Sequence, residues 1–188
     1  MSEEVIGKPV LIPVQVPWMV DPATPFLHVH MSEDPNEEPS YVQFVGYFGP
    51  LVEEGKPYRI VRIILEPHAW LHMRPGHSDT DAIDMSRFDV GRLPPIGLDS
   101  QEQIRHGDGA EEWRRTGICP DPSMYEVDRS PWLREAGLER SSLPSWVLQI
   151  GEVGQHKHII IVGHDYYIEV LTKGWRHELG EYLAGDAW

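Results

Sequence analysis

The six residues Lys157-His-Ile-Ile-Ile-Val162 constrain the fold more than any other stretch of the chain. In a strand, Ile159 and Ile161 point to one face and Ile160 and Val162 to the other, so both faces are apolar and both need cover. Such a strand belongs in the middle of a sheet. Two further runs rich in β-branched and aromatic residues lie on either side of it, Trp146-Val-Leu-Gln-Ile150 and Tyr166-Tyr-Ile-Glu-Val-Leu-Thr172. Gly151 with Gly154 punctuates the first reversal, and Gly163-His164-Asp165 makes the second, a short connection with a residue free to take positive φ. The expectation is a three-stranded antiparallel meander from Trp146 to Thr172.

The first part of the chain repeats this signature. Val10 to Val16 reads as extended, but Pro13 and Pro17 each remove a ladder donor and place it at a sheet edge. Phe26 to Met31 alternates, with Phe26, His28 and His30 on one face; Ser32 to Ser40 is an exposed acidic loop. Tyr41 to Phe48 is a strand in which Gly46 marks a bulge or a close backbone approach, and Tyr58 to Leu65 is the strongest strand of this half. Between about Arg74 and Leu143 the two-residue alternation gives way to Gly, Pro, Asp and Arg. Asp108 predicts a capped helix over Ala110 to Arg115, closed by Gly117, with Glu111 and Arg115 paired. Ser130-Pro131 predicts a second over Trp132 to Ala136, closed by Gly137. Trp175 to Leu183 reads as a terminal helix, with Trp175, Leu179, Tyr182 and Leu183 on one side. The fold class expected is α+β in a single domain over residues 1–188. A mainly antiparallel twisted sheet or partly open β-barrel comes from 8–70 and 146–172, with a helical insert over 75–143 and a C-terminal helix over 175–183.

Composition narrows the function classes. There are 16 Lys plus Arg against 30 Asp plus Glu, a formal charge of -14, so the long-range field repels phosphate backbones and anionic lipid. Nucleic acid and membrane surfaces are therefore not expected partners. No apolar run approaches the roughly 20 residues of a membrane helix. A single Cys119 rules out an internal disulfide and suits a reducing, cytoplasmic setting. The acidic charge can steer a basic partner, although ordinary solubility accounts for it more simply.

The histidines are the sharpest chemical feature. His28 and His30 stand two apart on one predicted strand, and His156 and His158 repeat the spacing on another, so each pair points its imidazoles one way. The two pairs, or one pair with His68, His72 or His77, could supply three nitrogens to a divalent transition metal, with Glu33 or Glu66 adding a carboxylate. Surface histidines without a metal are the plainer reading. Pro67-His-Ala-Trp-Leu-His72 lacks the glutamate of a zinc-protease helix, which leaves His68 and His72 as turn or strand-end residues. His164 and Asp165 could form a general base with its orienter, or a recognition tip, but an Asp in a hairpin usually bonds its own backbone. Cys119 has no base that can be placed beside it and reads as unreactive.

Seven Trp are spread along the chain, most of them suited to a core. Trp113 with Arg114 and Arg115, and Trp132 with Arg129 and Arg134, make the insert the one locally basic and aromatic region of an acidic chain. With His164 and Tyr166, residues Trp113, Arg114, Arg115 and Trp132 form the candidate binding set. No Gly-x-Ser-x-Gly, Walker or Gly-x-Gly-x-x-Gly fingerprint occurs. The function expected is non-catalytic binding of a protein partner, as by an immunity, antitoxin-like or accessory protein. The alternatives are a metal-dependent enzyme or metal-binding β-domain built on His28 and His30, and a small-molecule pocket protein whose sheet is lidded by the insert.

Overall fold

The computed structural model describes residues 7–21, 27–32, 34, 36–52, 57–76, 83–93, 104, 107–138, 156–163 and 166–183. Among them run β1 (Val10–Pro13), β2 (Met19–Val20), β3 (His28–His30), β4 (Tyr41–Tyr47), β5 (Tyr58–Leu65) and β6 (Trp70–Pro75). Helix α1 (Asp108–Thr116), β7 (Met124–Asp128), α2 (Pro131–Glu135), β8 (Lys157–Val162), β9 (Tyr166–Thr172) and β10 (Trp175–Leu183) follow. Every strand pair is antiparallel. The first sheet has the order β1-β7-β8-β9-β6; the second has the order β10-β5-β4-β2, with β3 also on β4. Among the described residues they do not close into a barrel.

β8 is the third of five strands, as its two apolar faces require. Ile159 and Ile161 enter the core between the sheets, against Val42, Phe44, Val61 and Ile63 of the second sheet. Ile160 packs on the opposite face with Leu11, Phe88, Tyr125 and Val127. Full burial of one such side chain stabilises the fold by about 1.5–3 kcal/mol. The neighbours of β8 are β9 and β7, and the proposed strand at Trp146 to Ile150 lies outside the described residues.

The sheets are two ends of one bent ribbon. β5 pairs with β10 in the second sheet, and their continuations β6 and β9 pair in the first. Between the Leu65↔Trp175 and Trp70↔Leu171 pairs, residues 66–69 on one strand face 172–174 on the other. The extra residue acts as a bulge that turns the ribbon from sheet to sheet. His68 supplies a left-handed φ of 66° there, so it is a turn residue.

Three expectations change. The terminal helix is instead β10, because the open backbone edge of β5 offers a ladder that outweighs weak helical periodicity, and Gly180 disfavours a helix. The strand shifts register between Leu179 and Tyr182, where Arg59 donates to the Gly180 carbonyl and lies 4.4 Å from the Tyr182 ring centre. The insert is more than helices and turns, since it contributes β7, seated between β1 and β8. Its Tyr125 and Val127 alternate with Met124, but five residues are too few for that period to stand out. In α1, Gly107 is the N-cap and Asp108 stands in the first turn, while Arg115 pairs with Glu112 rather than Glu111.

Other expectations match. β1 is an edge strand, and α2 starts at Ser130, whose hydroxyl accepts from the Leu133 N–H, with Pro131 in its first turn. Gly46 is a close approach: a Cβ there would lie 2.6 Å from Val61 Cγ2 and 3.4 Å from Trp18 Cβ. The Gly46→Ala substitution is expected to cost about 1–3 kcal/mol by overpacking. Gly174→Ala meets only the movable carboxylate end of Glu66 and should cost much less. Urea unfolding of the two variants checks the contrast, and equal losses would contradict it.

Candidate functional site

The outer face of the first sheet carries the densest chemistry among the described residues. Alternation sends His158 outward on β8 while Ile159 and Ile161 point into the core, and likewise Tyr167 and Glu169 on β9 opposite Ile168 and Val170. Antiparallel register sets His72 of β6 beside Glu169, and Arg74 beside Tyr167. Residues 83–93 wrap the β1 edge, where the Leu11 N–H donates to Asp89 O at 3.1 Å, and lay Arg87 and Phe88 over this face. Helix α2 brings Trp132. Together these side chains line an open recess of about 460 Å³.

A chain of polar contacts fixes its floor. Ser130 Oγ lies 2.8 Å from His158 Nδ1 and accepts from the Leu133 N–H at 3.1 Å. The hydroxyl has a second lone pair and a proton, so it either donates to Nδ1 or accepts from it; donation leaves the imidazole proton on Nε2. Nε2 is 3.8 Å from Glu169 Oε1, and Glu169 Oε2 accepts from Arg74 Nε. The opposite tautomer would face a nitrogen lone pair toward the carboxylate.

Burial lowers the His158 pKa to about 4, against the opposing pull of Glu169 and with Arg74, Arg87 and His72 adding to the depression. The 3.8 Å contact therefore joins a neutral imidazole to a carboxylate at pH 7 and is no ion pair, despite its distance. The bond to Glu169 holds the Arg74 guanidinium above its ordinary value. Burial raises the Tyr167 phenol, with Glu169 adding to the rise and Arg74 and Arg87 opposing it. The Trp132 ring stacks on His72 at 4.3 Å and 15°, and meets the His158 ring edge-on at 5.4 Å.

Ser130, His158 and Glu169 are the residue types of a nucleophilic relay, but the arrangement is structural. Ser130 is 1% exposed and its oxygen is occupied at the helix cap, so it offers no attacking group.

The histidines named from sequence divide between the sheets. His28 and His30 stand on β3 beside Tyr41, whose ring lies 6.0 and 5.1 Å from theirs. His156 immediately precedes β8 and lies against Trp70, with its pKa lowered by burial and then by Lys173. Among the described residues no three His, Cys, Asp or Glu side chains form a metal-binding group, so His28, His30, His156 and His158 do not make one. Glu33, His77, His164 and Asp165 lie outside the described residues.

Among the described residues of the binding set, only Trp132 lines the recess. Trp113 is fully buried against Met19, Ile104 and Cys119; Arg114 and Arg115 are exposed on α1. Tyr166 is a structural tie: its hydroxyl accepts from the Leu27 N–H at 3.0 Å and donates to the Leu27 carbonyl at 3.1 Å. Burial raises the Cys119 thiol, which fits the unreactive reading. Sequence reasoning missed Arg74, Arg87 and Glu169 as site residues. Glu169 alone carried a signal, a charge inside an otherwise apolar strand.

No helix among the described residues is long and apolar enough to cross a membrane. Comparison with family models, curated proteins and solved structures found no match.

Two outcomes follow from the floor of the recess. Ser130→Ala removes a helix cap and leaves His158 Nδ1 unpaired, for an expected loss of about 1–3 kcal/mol in urea unfolding. The second concerns pH. The unfolded imidazole takes its proton near 6.5 and the folded one near 4, so between these values the unfolded state binds more protons. Stability conferred by His158 is complete above pH 6.5 and falls toward pH 4, by up to about 1.4 kcal/mol per pH unit. The stability difference between the parent and His158→Gln should change along that slope, and a flat difference would contradict the neutral buried imidazole.

Proposed function

We propose that this protein binds a small molecule in the recess on the outer face of its first sheet. The observation that carries the reading is convergence: five elements direct His72, Arg74, Arg87, Trp132, His158 and Glu169 at one recess of about 460 Å³. That volume is in the range of small-ligand sites, and a few polar groups with an environment-shifted histidine among aromatic walls is their usual composition. Trp132 is held by two rings and Glu169 by Arg74, so the walls are set before any ligand arrives. The role is binding rather than covalent chemistry, because the buried serine offers no nucleophile.

Docking of a protein partner, the reading first favoured by the charge and the insert, finds less support. Large apolar side chains exposed among the described residues are spread over several elements: Met31 after β3, Trp70 and Met73 on β6, Ile118 after α1, Leu179 and Tyr182 on β10.

Saturation-transfer NMR with a library of small polar fragments tests the proposal on the parent and on Glu135→Trp. Glu135 stands exposed on α2 at the recess, where an indole would fill it. Fragments are expected to bind the parent with dissociation constants of roughly 0.1–1 mM and to lose binding in the variant. If no fragment binds the parent, or if Glu135→Trp leaves all binding intact, the proposal fails.

A further inference from the structure

Resting on the proposed recess, we infer that its ligand is a small planar carboxylic acid, with the carboxylate at Arg87 and Arg74 and the planar body among Trp132, His72 and Phe88. The argument is one of charge counting at close range. Arg74 and Arg87 both line the recess, with His158 and Glu169. A single buried carboxylate, Glu169, stands there, and it is committed to Arg74 through Nε. Among the described residues Arg87 has no carboxylate within ion-pair distance. His158 adds no charge. Among the described residues Arg87 is therefore a guanidinium at the recess without an ion-pair partner, and the second carboxylate of the lining, Glu135, stands exposed on α2.

Arginine presents its donors in a planar fork that matches a carboxylate with two parallel bonds. Phosphate shares that chemistry, but a doubly charged group meets stronger repulsion from the rest of this acidic chain and from Glu169 and Glu135 at the recess. A monoanion meets less of that repulsion and still fills the fork of Arg87. The remaining walls are flat and aromatic: Trp132 and His72 stack on each other at 4.3 Å and leave their outer surfaces and Phe88 to a ligand, which favours a planar body over a branched aliphatic one.

Isothermal titration calorimetry of the full chain at low salt, with benzoate, its neutral isostere benzamide and inorganic phosphate, tests the assignment. Benzoate should bind at least about tenfold more tightly than benzamide, as expected for a charge-assisted pair, and more tightly than phosphate. Arg87→Met should reduce benzoate binding to the benzamide level, whereas Arg87→Lys should retain part of the preference. Equal binding of benzoate and benzamide, tighter binding of phosphate, or a preference unchanged in Arg87→Met would overturn it. Should neither aromatic probe bind while polar fragments still occupy the recess, the carboxylate assignment falls and the pocket reading stands; if no fragment binds, both fall.

Discussion

The pairing of one long strand, β5 continued as β6, with another, β9 continued as β10, is the constraint on which the rest of the molecule depends. Each continuous strand is interior in one sheet and at the edge of the other. β5 lies between β4 and β10, whereas β6 ends the first sheet; β9 lies between β8 and β6, whereas β10 ends the second. The backbone ladder carries the chain round the corner, so the sheets cannot slide apart without breaking it. The one-residue excess at 66–69 supplies the bend, and the core of Val42, Phe44, Ile159, Ile161 and Ile168 holds the two halves face to face.

This arrangement also explains why the site is where it is. A strand buried on both faces needs a second layer outside the sandwich, and residues 83–93 with α2 supply it over Ile160 and Tyr125. That layer is short and irregular, and it covers the central strands more fully than β6 at the sheet edge. The recess forms at this margin, where His72 and Arg74 of an exposed edge strand meet buried groups of β8 and β9. Glu169 and His158 are polar intrusions into strands otherwise filled with Ile, Val and Leu. Each has a partner on a different element, Arg74 on β6 and Ser130 at the start of α2. The same contacts that satisfy them bind the outer layer and the edge strand to the sheet.

The sequence carried the central strand, its partner β9, the strands β4 and β5, and the cap and stop residues of α2, because each rests on local periodicity or turn chemistry. It misled at Trp175 to Leu183, where a helical spacing of apolar residues is real but the free edge of β5 decides the outcome. It was silent at Met124–Asp128, a strand too short for its alternation to register between proline-rich turns. The site was legible only in part. Trp132 and His158 drew attention by residue type, whereas Arg74 and Arg87 are ordinary surface arginines until register and the wrap of residues 83–93 bring them together. Meetings of that kind depend on strand order, which local pattern does not encode.

The histidines show how far residue type alone leads. The spacing argument set each pair on one side of a strand, yet His156 precedes β8, and β3 and β8 belong to different sheets, so the two pairs do not share a point. His158 is buried at a cost that deprotonates it; the serine hydroxyl satisfies Nδ1, whereas Nε2 faces Glu169 at 3.8 Å without a hydrogen bond. A metal would compete for the same Nδ1 that Ser130 already occupies and would place a second charge beside Arg74. The surroundings of His158 are thus arranged to keep an imidazole neutral, which leaves the charges of the recess wall to Arg74, Arg87, Glu135 and Glu169.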